Sequence, residues 1–116
     1  MNGQVLIENE RIKDALLLDA QSGTSDGAWV SAGPYGGDDY TISVSGVSGD
    51  TMQLRGSNAT EQPPAANDGD GQIGGDITAN GVYQKETLGS LTKWIKMKKT
   101  VGGGTVTARF FGRRPS

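Results

Sequence analysis

The chain has 116 residues, 19 of them glycine, with 34% hydrophobic and 6% aromatic residues, neither cysteine nor histidine, and a net charge of −2. That length bounds one domain with a modest core. The missing residue types exclude a disulfide frame, zinc sites of the usual kind and every Ser/His/Asp or Cys/His nucleophile arrangement, so no catalytic, cofactor or metal site is expected and the chain is not read as an enzyme.

Residues 1–13 show no clear hydrophobic period and read as an amino-terminal arm; residues 14–116 are expected to form one β-sandwich domain. The run Val5, Leu6, Ile7 follows no basic segment and does not resemble a secretory signal. The longest aliphatic stretch, Ala15 to Leu18, is far too short to cross a membrane, so the chain is expected to be made in the cytoplasm. Ala15 to Ala20 reads as a strand. A helix from Glu8 to Leu18 is the alternative, but the apolar positions cluster instead of recurring every three or four residues. A loop from Gln21 to Gly27 leads to a short strand, Ala28 to Ala32, closed by a glycine-rich turn cluster at 33–39. Tyr40 to Val47 alternates cleanly, with Tyr40, Ile42 and Val44 on one face. It turns at Ser48 to Asp50 into Thr51 to Gly56, and the two strands read as a hairpin.

Residues 57–76 are polar, and Pro63 and Pro64 exclude regular structure there. A loop this long is uncommon in a compact domain and marks a second candidate contact region. Ile77 to Ala79 and Val82 to Leu88 read as short strands about the tight turn Asn80-Gly81. The last segment, Lys93 to Arg114, reads as a hairpin about Gly102-Gly103, pairing Ile95 with Phe110, Met97 with Ala108 and Lys99 with Val106 on a mostly apolar face. The opposite face would pair Trp94 with Phe111, Lys96 with Arg109 and Lys98 with Thr107. Like charges placed opposite one another destabilise a sheet, so that face is expected either to be solvated or to meet an acidic neighbour. Seven to eight short strands joined by glycine-rich turns indicate an all-β fold, an antiparallel sandwich or barrel with an amino-terminal arm and a long polar loop.

Charge is divided along the chain. Residues 1–76 carry three bases against twelve acids, and residues 77–116 carry eight bases against one acid, giving −9 and +7. Contact between copies of the chain, or with another protein, fits both halves better than nucleic acid, whose phosphates the acidic half would repel.

Four motifs carry less than they offer. Asn67 to Ile73 partly matches a calcium loop through Asp68, Asp70 and Gly71, but Ala66 and Ile77 stand where two key carboxylates belong. Gly102 to Gly104 lacks the Lys-Ser/Thr pair and the helix of a phosphate-binding loop. Trp94 and Phe111 beside Lys96, Lys98 and Arg109 resemble a single-strand nucleic-acid surface, yet a chain with seven aromatics needs several inside. Asp38 and Asp39 are adjacent and would point to opposite faces if extended, so they make no glycosidase pair.

The order of an alternating strand, Gln53 to Asn58, a long polar loop, Lys93 to Lys99, the triple glycine and residues 105–113 resembles the small glycine-rich β-sandwich proteins of tailed bacteriophages, of the capsid decoration or cement type. The likeness covers roughly residues 40–114 and is one of style and strand order. It implies a virion protein, often trimeric, that binds the major capsid protein and clamps neighbouring capsomers, with the arm and the long loop reaching across subunits. The expected protein-interface residues are Trp94, Lys96, Lys98, Arg109, Phe111, Arg113 and Arg114. Two other functions compete: a nucleic-acid-binding module using the basic hairpin, and a carbohydrate-binding sandwich of a tail or fibre using Trp29, Tyr35 and Tyr40.

Overall fold

Alternation at a period of two residues selects the core. Tyr40, Ile42 and Val44, then Met52 and Leu54, Ile95 and Met97, and Val106, Ala108 and Phe110 are all buried in one cluster. The computed structural model describes residues 2–35 and 39–114, so Gly36, Gly37 and Asp38 of the expected turn cluster lie outside the described residues.

Nine strands are described: β1 (Gln4–Glu8), β2 (Ile12–Ser22), β3 (Val30–Ser31), β4 (Tyr40–Ser45), β5 (Thr51–Ser57), β6 (Gly71–Gln72), β7 (Gly81–Tyr83), β8 (Trp94–Val101) and β9 (Thr105–Arg113). One sheet has the order β1-β2-β9-β4-β7 and the other β3-β8-β5-β6. All their pairings are antiparallel. The two inner faces enclose the core, giving the all-β sandwich expected from the sequence.

Both expected hairpins are something else. β4 and β5 lie in different sheets, and so do β8 and β9. Ile95, Met97, Val106, Ala108 and Phe110 therefore meet across the sandwich and do not share one face. An arch and a hairpin bury the same alternate residues, so the inward set stands while the register pairing Ile95 with Phe110 and Lys96 with Arg109 does not. In its place β8 pairs with β5, setting Met97 opposite Leu54, and β9 pairs with β2 and β4, setting Phe110 opposite Ala15 and Ile42.

Three further expectations change. Residues 4–8 of the expected arm form β1, an edge strand closed onto β2 through Asn9, whose side-chain oxygen accepts the Arg11 and Ile12 amides at 2.8 and 3.0 Å. Val82 to Leu88 is not one strand: after β7, one helical turn, α1 (Lys85–Leu88), sends Leu88 into the core and ends at Gly89 with φ +96. Asn80-Gly81 is no hairpin turn either. Ile77 bridges to Met52, and the Asn80 side chain accepts the Val47 amide at 2.8 Å.

The sheet-to-sheet corners at 46–50 and 102–104 lock together backbone against backbone. A Cβ on Gly46 would overlap the Thr105 carbonyl, and one on Gly103 the Ser48 carbonyl. Gly46 also sits at φ +82, which side chains rarely adopt. Asp50 joins the corners: its carboxylate accepts the Ser48, Gly103 and Gly104 amides at 2.7, 2.9 and 2.7 Å.

Candidate protein interface

The arches split the expected contact residues between two faces. Trp94, Lys96 and Lys98 alternate outward on β8, whereas Arg109, Phe111 and Arg113 alternate outward on β9, on the opposite side of the sandwich.

The β8 side is covered by its own chain. The loop between β5 and β6 folds back over the sheet, and Lys96 holds it there with bonds of 2.8 Å to the Ala65 carbonyl and 2.7 Å to the Asn67 carbonyl. The same ammonium lies 5.0 Å from the Trp29 ring centroid. Lys96 is fully buried and is no surface contact, which corrects its expected role. Burial pushes its pKa below the ordinary lysine range, and Asp68 pulls against that shift.

Lys98 makes two bonds of 2.9 Å to the Asp68 carboxylate and lies 3.8 Å from Asp26. The bond from Lys98 holds Asp68 below the usual carboxylate range. Trp94 donates its indole N–H to the Ala59 carbonyl at 3.0 Å. Trp29 does the same to Pro64, also at 3.0 Å. The acidic neighbour expected for this basic face is therefore the chain's own loop, and the loop does not extend away as an arm. Asp68, the centre of the calcium-like pattern, is occupied by lysines, while Asp70 accepts the Asn58 amide at 2.8 Å. Among the described residues no cluster of carboxylates suited to a metal forms.

Among the described residues no segment folds over the β9 side, where Arg109 and Arg113 are exposed. Arg109 grips Asp14 of β2 in a forked pair, Nε to Oδ1 at 2.7 Å and a second bond from Nη2 to Oδ2, with the guanidinium side chain 51% exposed and Asp14 buried beneath it. The pair raises the Arg109 pKa. Phe111, next outward on β9, is half-buried, with Asp14 and Thr41 opposite it on either side. Arg113 is exposed, 3.8 Å from Asp39, and Arg114 is exposed beyond the strand. The division of charge along the sequence thus resolves largely within the molecule, because β8 and β9 are threaded between strands of the acidic half.

The proposed glycan-stacking aromatics are unsuited to that role. Trp29, Tyr35 and Tyr40 are all buried, with Tyr35 donating its hydroxyl to the Asn9 carbonyl at 2.7 Å and Tyr40 donating to that of Gly89. The basic hairpin required for nucleic acid is likewise divided between opposite faces, with half of it covered.

No protein-family model, curated protein or solved structure matches the chain. Sequence reasoning set Lys99 on the mostly apolar face but gave it no role, and missed its partner Asp50; the two are buried and 2.7 Å apart at the arch corner. A signal existed for Lys99: it falls in phase with Ile95 and Met97, on the inward side of β8. Nothing comparable marked Asp50, which stands in a Ser-Gly-Asp turn of the kind that is ordinarily solvated.

Proposed function

We propose that this protein is a non-enzymatic structural component of a bacteriophage virion, of the capsid decoration type, which oligomerises and binds the major capsid protein to stabilise the shell. The observation that carries the reading is the contrast between the two sheet faces. One is sealed by the chain's own loop, and the other presents Phe111 beside a half-exposed Arg109 already oriented by Asp14. Among the described residues every fully buried side-chain polar atom has a partner, so the ionisable groups of the interior serve the fold. That economy suits a rigid block that works through its surface.

The contact residues on this reading are Arg109, Phe111, Arg113 and Arg114. Apolar burial around Phe111 supplies most of the binding, and the arginines fix register and partner. Asp14 takes two of the guanidinium donors of Arg109, leaving the others for an acidic group on the shell. The likeness to phage decoration proteins supports the choice of a shell as the partner.

Adding the purified protein to tailed-phage capsids assembled without it, and counting bound copies by electron microscopy, tests the proposal. Ordered occupancy at repeated capsomer positions is the expected result. Absence of binding at micromolar concentration removes the decoration reading, and salt-sensitive binding to free DNA would replace it with nucleic-acid binding.

A further inference from the structure

The β1 edge of the first sheet carries Val5, Leu6 and Ile7 in succession, exposed by 45%, 40% and 46%. Edge strands ordinarily blunt themselves with charge, proline or a covering loop, because their unpaired amide groups template another strand. Neither charge nor proline interrupts this run. The register with β2 shifts between Val5 and Ile7, so Leu6 is a bulged residue with no opposite number in β2. A bulge is one of the devices that blunt an edge, and it is the one β1 has, but it leaves the three apolar side chains exposed.

We propose that β1 is a self-association strand, pairing antiparallel with β1 of a second copy about a two-fold axis at Leu6. The inference rests on the reading of the chain as an assembling structural protein and names the surface through which two copies meet. It is carried by self-complementarity. With Leu6 on the axis, Leu6 faces Leu6, Val5 faces Ile7, and Gln4 faces Glu8 of the other copy. Every apolar residue then meets an apolar residue and no like charges are opposed.

Neighbouring symmetric registers fail this condition. An axis at Ile7 sets Leu6 against Glu8, an axis at Glu8 sets two glutamates together, and an axis at Val5 sets Leu6 against Gln4. Glu8 also arrives compensated, since Lys13 lies 3.0 Å from it in the same chain. The pairing would join two first sheets into one continuous sheet. An isologous contact of this kind closes at two copies, in contrast to the trimer implied by the phage resemblance. Its short apolar core places it among weak, concentration-dependent contacts.

Sedimentation velocity of the full chain across a micromolar concentration series reads the association directly. The expected result is a monomer–dimer equilibrium that Leu6→Lys weakens about a hundredfold or more while leaving the circular dichroism spectrum unchanged. The chain has no cysteine, so Leu6→Cys places a single thiol at the axis. Mild oxidation is expected to yield a covalent dimer much faster than for Val82→Cys, an exposed site on the opposite edge strand. A chain monomeric throughout the series, a dimer indifferent to Leu6→Lys, or equal crosslinking of the two cysteine variants overturns the pairing. A protein monomeric in solution that still attaches to shells overturns the pairing alone, whereas a dimer that never attaches overturns the decoration reading alone.

Discussion

Lys99 Nζ lies 2.7 Å from the Asp50 carboxylate, and neither side chain is exposed. The ammonium also donates to the Gln21 and Gly104 carbonyls, both at 2.8 Å, while the carboxylate takes three amides from the two arch corners. One ion pair thus ties β8 to the end of β2 and to both sheet-to-sheet turns. Lys99→Met leaves a buried carboxylate without its cation, and a melting temperature lower by about ten degrees or more is expected by circular dichroism. Asp50→Asn should cost a similar amount. The double variant should lose much less than the sum of the two, and strict additivity would show that the pair is not coupled.

Acid stability follows from the same groups. Asp50 is held well below the ordinary carboxylate range, chiefly by the bond from Lys99, and Asp68 is lowered by Lys98. Folding therefore favours their ionised forms: the stabilisation is complete above the unfolded-state pKa and is lost as pH falls through the folded-state values. Urea midpoints measured from pH 5 downward should fall steeply, and Asp50→Asn should flatten the slope.

At the alkaline end, burial first and Glu86 second raise the Tyr40 hydroxyl from 10.0 to about 12. Folding favours the neutral phenol, so stability declines as pH rises from 10.0 to about 12. Lys96 works in the opposite sense, since its lowered pKa makes folding gain stability as pH rises through the lysine range. The difference between wild type and Tyr40→Phe isolates the tyrosine. That difference should narrow with rising pH, and a gap independent of pH would contradict the assignment.

Lys96→Met keeps an unbranched apolar side chain in the buried position but removes the ammonium, and with it the bonds to Ala65 and Asn67 and the contact with the Trp29 ring. Amide exchange across residues 57–70 is expected to accelerate about tenfold or more, with β2 and β9 unchanged, because the loop opens as a local unit. Uniform acceleration would mean that the loop is integral to global folding.

Gly103→Ala forces a methyl group into the Ser48 carbonyl and should destabilise by about 1–3 kcal/mol. Gly75→Ala, where the added carbon meets nothing within 4 Å, is the matched control and should be close to neutral. Chemical denaturation of the two variants separates close approach at the corner from a general effect of replacing glycine.

Faces were legible in the sequence, but pairing was not. The alternation of Ile95 and Met97 with Lys96 and Lys98, and of Ala108 and Phe110 with Arg109 and Phe111, correctly divides inward from outward residues. It carries no information on whether a glycine corner folds a strand back beside its neighbour or across to the other sheet. That single ambiguity moved Trp94, Lys96 and Lys98 away from Arg109, Phe111 and Arg113. The covering loop was hidden for another reason: its bonds run largely through backbone carbonyls, at Ala59, Thr60, Pro64, Ala65 and Asn67, which no side-chain pattern records. β1 was missed because its bulge breaks the period-two signal at Leu6.

Hydrogen exchange of the protein free and bound to capsids tests most directly the claim that the open sheet face is the working surface. Protection gained on β9 around Arg109 to Arg113, with residues 57–70 unchanged, is the predicted result. Protection confined to 57–70, with β9 exchanging as in the free protein, would contradict it.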